Sequence, residues 1–307
     1  MKQQRRYLEL AGLLIASLAL WWRPLADVGI LAWNHEAYTH ILIVPFLTVA
    51  FVHFEANHTS LNVASPRWPG IILLAFSALL YVISLGKTGG LRSDDILALS
   101  MISFLCWAAG SVFATLGLKA FRSLLFPLCL MLLMVPFPER LLVPVTDFLQ
   151  RQSAFIAAIL FRISQTPVVR EGALLSIPGL NISVARECSS IRSSMMLIVA
   201  TLVLVEVFLE EWWKRAIVIL AALPLSIVKN GVRIFTIAEL GTRVDSSFLT
   251  GRLHHQGGVV FFAMALATVW ALVRSLAKRQ YHKRCDLAPP EGTQCSKQSF
   301  SLERINP

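Results

Sequence analysis

Eight stretches of this chain, most of them close to the length a helix needs to cross a bilayer, are almost free of charge. They cover residues 7–25, 37–54, 68–85, 96–118, 124–137, 191–209, 216–238 and 257–276. Roughly 20 apolar residues suffice, because hydrocarbon offers backbone groups no partner and the helix satisfies its own. The fifth stretch is short and bounded by Pro136 and Pro138; the seventh contains Pro224 and turns polar at Lys229, Asn230 and Arg233. Composition points the same way. The chain is 56% hydrophobic and 15% charged, against about 25% charge in a soluble domain. The predicted fold is an all-α membrane protein of about eight transmembrane helices. It forms a single domain over residues 1–284, followed by a disordered cytoplasmic tail over 285–307 that carries Pro289, Pro290 and Gly292. The first stretch lacks a small-residue cleavage pattern and reads as a retained helix rather than a signal peptide.

A net charge of +10 would suggest nucleic acid in a soluble protein. Here it marks membrane edges, and lipid rather than nucleic acid is the expected partner. With the N-terminus placed in the cytoplasm, the inside segments hold thirteen Lys and Arg and the short outside loops hold five. That excess predicts both termini inside. The five cysteines, Cys106, Cys129, Cys188, Cys285 and Cys295, form no CxxC pair, which argues against a disulfide framework and a structural zinc site.

The segment between the fifth and sixth spans is different. Leu142, Val145 and Leu149 alternate with Asp147, Gln150 and Arg151. This predicts a small extracytoplasmic helix with one polar face, lying at the interface and becoming more apolar over 155–163. Pro167 ends it. Short β-like runs follow at 168–169, 174–177 and 182–184, separated by Gly172 and by Pro178-Gly179. They predict a strand-and-turn element outside the membrane that delivers the chain to Cys188.

Ionisable groups near membrane depth are costly and mark function. Cys188 begins the sixth span, Arg233 lies in the outer part of the seventh, and His254 with His255 precedes the eighth. Loop charge alone puts all of them on one outer side. A thiol, a guanidinium and an imidazole there form a nucleophile set. A thiolate attacks, its pKa lowered by a nearby cation or a helix N-terminus. A histidine exchanges the proton with the thiol and the leaving amine. An arginine holds a substrate carbonyl or oxyanion. No hydride, phosphate or metal chemistry is required, so neither cofactor nor metal is expected. Each residue also has a plainer reading: a packed small hydrophobe for Cys188, as for Cys106 and Cys129, snorkelling for Arg233, loop residues for the histidines. His35-Glu36 and His40 resemble a zincin motif but are one residue too far apart to share a metal on a helix.

At these residues the sequence resembles the exosortase/archaeosortase family of multi-pass membrane enzymes. The family pattern is a Cys followed by Ser-Gly-Ile or similar, then Asn-x-x-Arg, then a His four residues before a Gly. Here it reads Cys188-Ser189-Ser190-Ile191, Asn230-Gly231-Val232-Arg233, and His254 with Gly258. Tyr38-Thr39-His40 is similar to the family's N-terminal Tyr-Ser-His stretch, and Pro127 with Pro136-Phe137-Pro138 to its proline-rich fifth span. The resemblance covers roughly residues 35–277. Ser190 stands where Gly is usual, which adds a side chain beside the nucleophile. The resemblance implies a cysteine transpeptidase or protease with Cys188 as nucleophile, Arg233 at the substrate carbonyl or oxyanion, and His254 as general acid and base, with His255 as the alternative. It implies substrates that are exported proteins ending in a short signature, an apolar span and a basic end, an unspecified acceptor, and a cell inner membrane with the active site on the periplasmic side. The rival reading is a non-enzymatic transporter or a polysaccharide-export assembly protein, because spans broken by Pro and Asn also suit a substrate path.

Overall fold

The computed structural model describes residues 2–58, 66–86, 92–184, 191–245 and 258–287. Among the described residues six helical segments are long and apolar enough to cross a membrane, and two further bent pairs bring the number to eight if each pair is one span. The all-α membrane fold is as expected. Exposed apolar side chains cover its flanks, among them Ile71, Ile72, Leu79 and Val82 on one helix. Such a surface is stable against lipid, not against water.

The first expected span is one of the bent pairs. Helix α1 (Lys2–Leu20) and helix α2 (Trp22–Asn34) meet at 65°. The chain does not run straight from 7 to 25, because Trp21 is pulled inward at the joint. Its side chain is 1% exposed, its Nε1 donates to Ser103 Oγ at 2.7 Å, and its ring lies against Tyr81, Phe104 and Trp107. Pro24 falls in the first turn of α2, where no intrahelical N–H bond is lost. A 3-10 segment (Glu36–Leu42) leads into α3 (Val44–His58).

Helices α4 (Trp68–Leu85) and α5 (Ser93–Ser123) form the tightest pair. A Cβ at Gly70 would lie 2.3 Å from Ala114 N and 2.6 Å from its Cα, and one at Gly110 would meet Gly70 O at 3.1 Å. Small residues let the two backbones touch, which is how helices associate where burial from water no longer drives them. Ser77 Oγ donates to Ser103 O across the interface at 2.6 Å. The core of this half gathers Trp21, Val28, Ile41, Met101, Phe104 and Leu130.

Next come α6 (Leu125–Leu130) and a 3-10 turn (Met131–Met134), joined at 89° to α7 (Glu139–Ile163). The short stretch expected at 124–137 is thus half of a bent pair, broken by its prolines. The interfacial helix and the apolar run after it are one continuous helix. Of the residues expected on its polar face, Gln150 is buried, together with Thr146 and Ser153, while Arg151 is exposed, as are Val145, Phe148, Phe155 and Ile159. The motif Ser164-Gln165-Thr166 ends α7, with Gln165 at φ 59° and Thr166 N donating to Phe161 O at 2.9 Å, so a left-handed residue closes the helix.

Strands β1 (Val169–Glu171), β2 (Leu174–Ile177) and β3 (Leu180–Ser183) form an antiparallel sheet in the order β1-β2-β3. Gly172 (φ 63°) and Gly179 (φ 82°) supply the positive φ that its two-residue turns need. Leu175 and Ile177 pack with Ala157 and Phe161 of α7. Helices α8 (Ile191–Phe208), α9 (Trp212–Arg243) and α10 (Gly258–Leu287) complete the bundle. Leu197, Val205, Val218, Ala265, Val269 and Val273 form their shared core. Pro224 lies inside α9 without ending it.

Candidate active site

Helix α9 carries Lys229, Asn230 and Arg233. A Cβ at Gly231 would stand 2.6 Å from Ile156 Cβ, so glycine lets α7 and α9 close together there. The polar residues of both helices are buried along that half of the bundle: Gln150 and Ser153 on α7, Lys229 and Asn230 on α9. The amide nitrogens of Gln150 and Asn230 and the hydroxyls of Ser153 and Ser194 have no hydrogen-bond partner. Lys229 Nζ donates to Ser193 Oγ of α8 at 2.5 Å. Buried dipoles left unpaired cost about 1–3 kcal/mol each; four of the six such side-chain atoms among the described residues lie here, the other two being His40 Nδ1 and Thr48 Oγ1.

Arg233 lies one turn beyond Lys229. The first residue of α10 abuts it: a Cβ at Gly258 would sit 3.9 Å from Arg233 Nη1 and 4.0 Å from Cζ. On the other side a cavity of about 210 Å³ separates α9 from the sheet. Asn230, Arg233, Ile234, Ile237 and Ala238 line it from α9, and all of residues 180–184 line it from β3 and its end. Two of the three sequence blocks therefore meet in space: the Asn-x-x-Arg block and the glycine that closes the His-to-Gly spacing. Val184, four residues before Cys188, shares the cavity with them. Cys188, His254 and His255 lie outside the described residues, as do Arg186, Ser189 and Ser190.

The upstream motifs also converge. Tyr38 Oη donates to Phe137 O at 3.0 Å, which joins the Tyr38-Thr39-His40 stretch to the Pro136-Phe137-Pro138 corner. His40 is 2% exposed. Glu36, at the start of the same 3-10 segment, pairs with Arg192 of α8 at 3.5 Å. The Glu36–Arg192 pair links this segment to the first turn of α8, which follows Cys188 in sequence. The end of α9 is tied down separately. Glu239 accepts from Ser164 Oγ (3.1 Å) and Thr166 Oγ1 (2.8 Å) and pairs with Arg243 at 2.6 Å.

Cys106 and Cys129 are free thiols, half-buried and exposed respectively. Among the described residues no three His, Cys, Asp or Glu side chains cluster as a metal site. Sequence reasoning placed Gln150 only on the polar face of an interfacial helix and did not name Ser153 or Ser194. For the first two the signal was present: Thr146, Gln150 and Ser153 recur at i, i+4 and i+7, which places these uncharged polar residues on one face of the helix.

A family model described as transmembrane exosortase (Exosortase_EpsH) matches residues 32–271. No curated protein and no solved structure matches the chain. The matched range takes in both upstream motifs, the sheet, and the blocks around residues 188, 230–233 and 254–258, so the chain belongs to the transmembrane exosortase family.

Proposed function

We propose that the chain is a cysteine transpeptidase or protease that cuts the C-terminal sorting tails of exported proteins through a thioester on Cys188. The observation that carries the reading is the meeting of Asn230, Arg233 and Gly258 beside the strand that leads to Cys188. Val184 lies four positions before Cys188, and His254 four positions before Gly258. Each span reaches at most roughly 14 Å, so both groups stay within reach of the Arg233 neighbourhood.

In the proposed reaction the Cys188 thiolate attacks the scissile carbonyl. Arg233 holds the developing oxyanion through its fork of N–H donors. His254, or His255 in its place, gives a proton to the leaving amine as the C–N bond breaks. The thioester carbonyl is then attacked by an amine, a hydroxyl or water. The histidine takes the proton of that acceptor, and the thiolate leaves. The positive-inside excess supports an inner-membrane protein with both termini cytoplasmic and the site on the periplasmic face. A tail made of signature, apolar span and basic end would cross beside the enzyme and present its signature there.

The test is the mass of exported proteins in source-organism cells carrying wild-type chain or Cys188→Ala. Loss of tail removal with undiminished membrane accumulation of the variant supports the reading. Normal removal sinks it. The buried polar groups Gln150, Ser153, Lys229 and Asn230 also favour a second reading, a transporter or export-assembly protein with a polar path. That protein needs no thiol, so export restored by Cys188→Ser would select it. Product mass separates transfer to an acceptor from hydrolysis.

A further inference from the structure

The cavity beside Arg233 has an unusual lining. From the sheet it takes every residue from 180 to 184, both faces of the strand, and from α9 a stripe at positions 230, 233, 234, 237 and 238. A cavity above one face of a strand would touch alternate residues. One that touches all of them runs along the strand's edge. Among the described residues β3 is an edge strand, bonded only to β2.

The backbone directions follow from the register. Val184 N donates to Ala173 O at 3.1 Å, so Val184 turns its polar backbone toward β2. Ile182 opposite Leu175 and Leu180 opposite Ile177 do the same by alternation. Asn181 and Ser183 therefore aim their N–H and C=O groups at the cavity, and neither has another backbone partner among the described residues. Across the gap Asn230 is 1% exposed, and its Nδ2 has no partner. Edge strands left open are an aggregation hazard unless used or protected. Here the edge faces an arginine and an unpaired amide donor instead of bulk water. Those groups fit an extended peptide: its main chain pairs with β3, and a carbonyl or carboxylate on its far side meets Asn230 and Arg233.

We infer that the exported protein docks by adding an extended strand to the outer edge of β3, with Asn181 and Ser183 supplying main-chain bonds and Asn230 a side-chain donor from α9. Strand addition draws affinity from main-chain bonds and selectivity from alternate side chains. The added strand runs beside the chain that continues toward Cys188. The inference rests on the sorting-tail reading above and gives it a docking mode.

The test uses the full chain in its membrane and an exported protein that the wild-type chain shortens. Proline is placed singly at about six successive positions before the cut, since proline has no N–H to give. An added strand offers an N–H to β3 at every second residue. Proline at alternate positions is therefore expected to lower processing about tenfold or more, with much smaller losses between them. A uniform loss, or one confined to the residue beside the cut, overturns the strand. A photo-crosslinker at Ser183 is expected to capture the exported protein, whereas one at Arg170, on the opposite edge of the sheet, is not. Equal capture at both overturns it as well. Asn230→Ala is expected to raise KM about tenfold while kcat changes far less; a fall in kcat alone overturns its role as a docking donor. If the wild-type chain shortens no exported protein, the sorting-tail reading falls and the docking mode with it. If shortening proceeds but lacks the alternation, only the docking mode falls.

Discussion

The α4–α5 pair and the α7–α8–α9 region differ in how many of their buried polar groups find partners. In the α4–α5 half the hydroxyls are spent on backbone carbonyls. Ser77 bonds Ser103 O, Ser103 bonds Ser100 O, Ser111 bonds Trp107 O, and Thr115 bonds Ser111 O, all at 2.6–2.7 Å. In the region built from α7, α8 and α9, Thr146, Thr201 and Ser226 do the same, but Gln150, Ser153, Ser194 and Asn230, equally buried, keep unpaired atoms, as do His40 and Thr48 on the 3-10 segment and α3. Satisfied groups rigidify a core, and unsatisfied ones are tolerated where something else will use them. The first half reads as scaffold and the second as the working part.

The largest expected effect tests the working part. Cys188→Ala should lower tail processing by about a thousandfold or more, equivalent to about 4 kcal/mol of barrier, with the variant still present in the membrane by immunoblot. Next come the histidines. His254→Ala should slow turnover about 10²–10⁴-fold, the usual range for a lost general acid–base group, and His255→Ala far less. Reversed severities would give the role to His255. Accumulation of an acyl-enzyme on Cys188, seen by intact mass, would place the histidine in the second half-reaction. Arg233→Lys keeps the charge but loses the fork and should cost about 10²-fold in kcat. A near-normal Lys variant leaves Arg233 only a snorkelling role.

Two substitutions probe the scaffold. Gly70→Val drives a side chain into the Ala114 backbone, where even a Cβ would lie at 2.3 Å. It should cost about 3 kcal/mol or more, read as a lowered Tm in detergent. An unchanged Tm would mean that α4 and α5 can separate freely. The smallest effect is the sharpest comparison. Ser77→Ala removes a made bond and should cost about 1 kcal/mol. Ser153→Ala removes a hydroxyl without a partner and should leave stability unchanged or slightly raised. Equal losses from the two would erase the distinction between the halves.

Much of this architecture is legible in one dimension. Apolar length locates the spans, because a helix in lipid needs only enough residues to cross and no outside partner for its backbone. The span expected at 68–85 is α4 to the residue, and the strands expected around 168–184 form the sheet, since Gly172, Pro178 and Gly179 set its turns. The order of the blocks at 188, 230–233 and 254–258 identifies the family by resemblance, and the matched family model agrees. Other features are decided only in three dimensions. The polar residues Asp147, Gln150 and Arg151 of α7 suggested a wet face, yet Gln150 is buried in the protein, only Arg151 is exposed, and Phe148 and Phe155 face outward. In lipid the outer face is apolar too, so periodicity gives the stripe but not its direction. The bend at Trp21 comes from partners more than 50 residues away, Tyr81 and Ser103. The contact of Gly258 with Arg233, the bond from Tyr38 to Phe137 and the trough beside β3 likewise join distant segments. Local sequence sets which elements form and how long they are; the site depends on which faces of those elements meet, and that is set by close approach at glycines and by buried groups finding partners across the bundle.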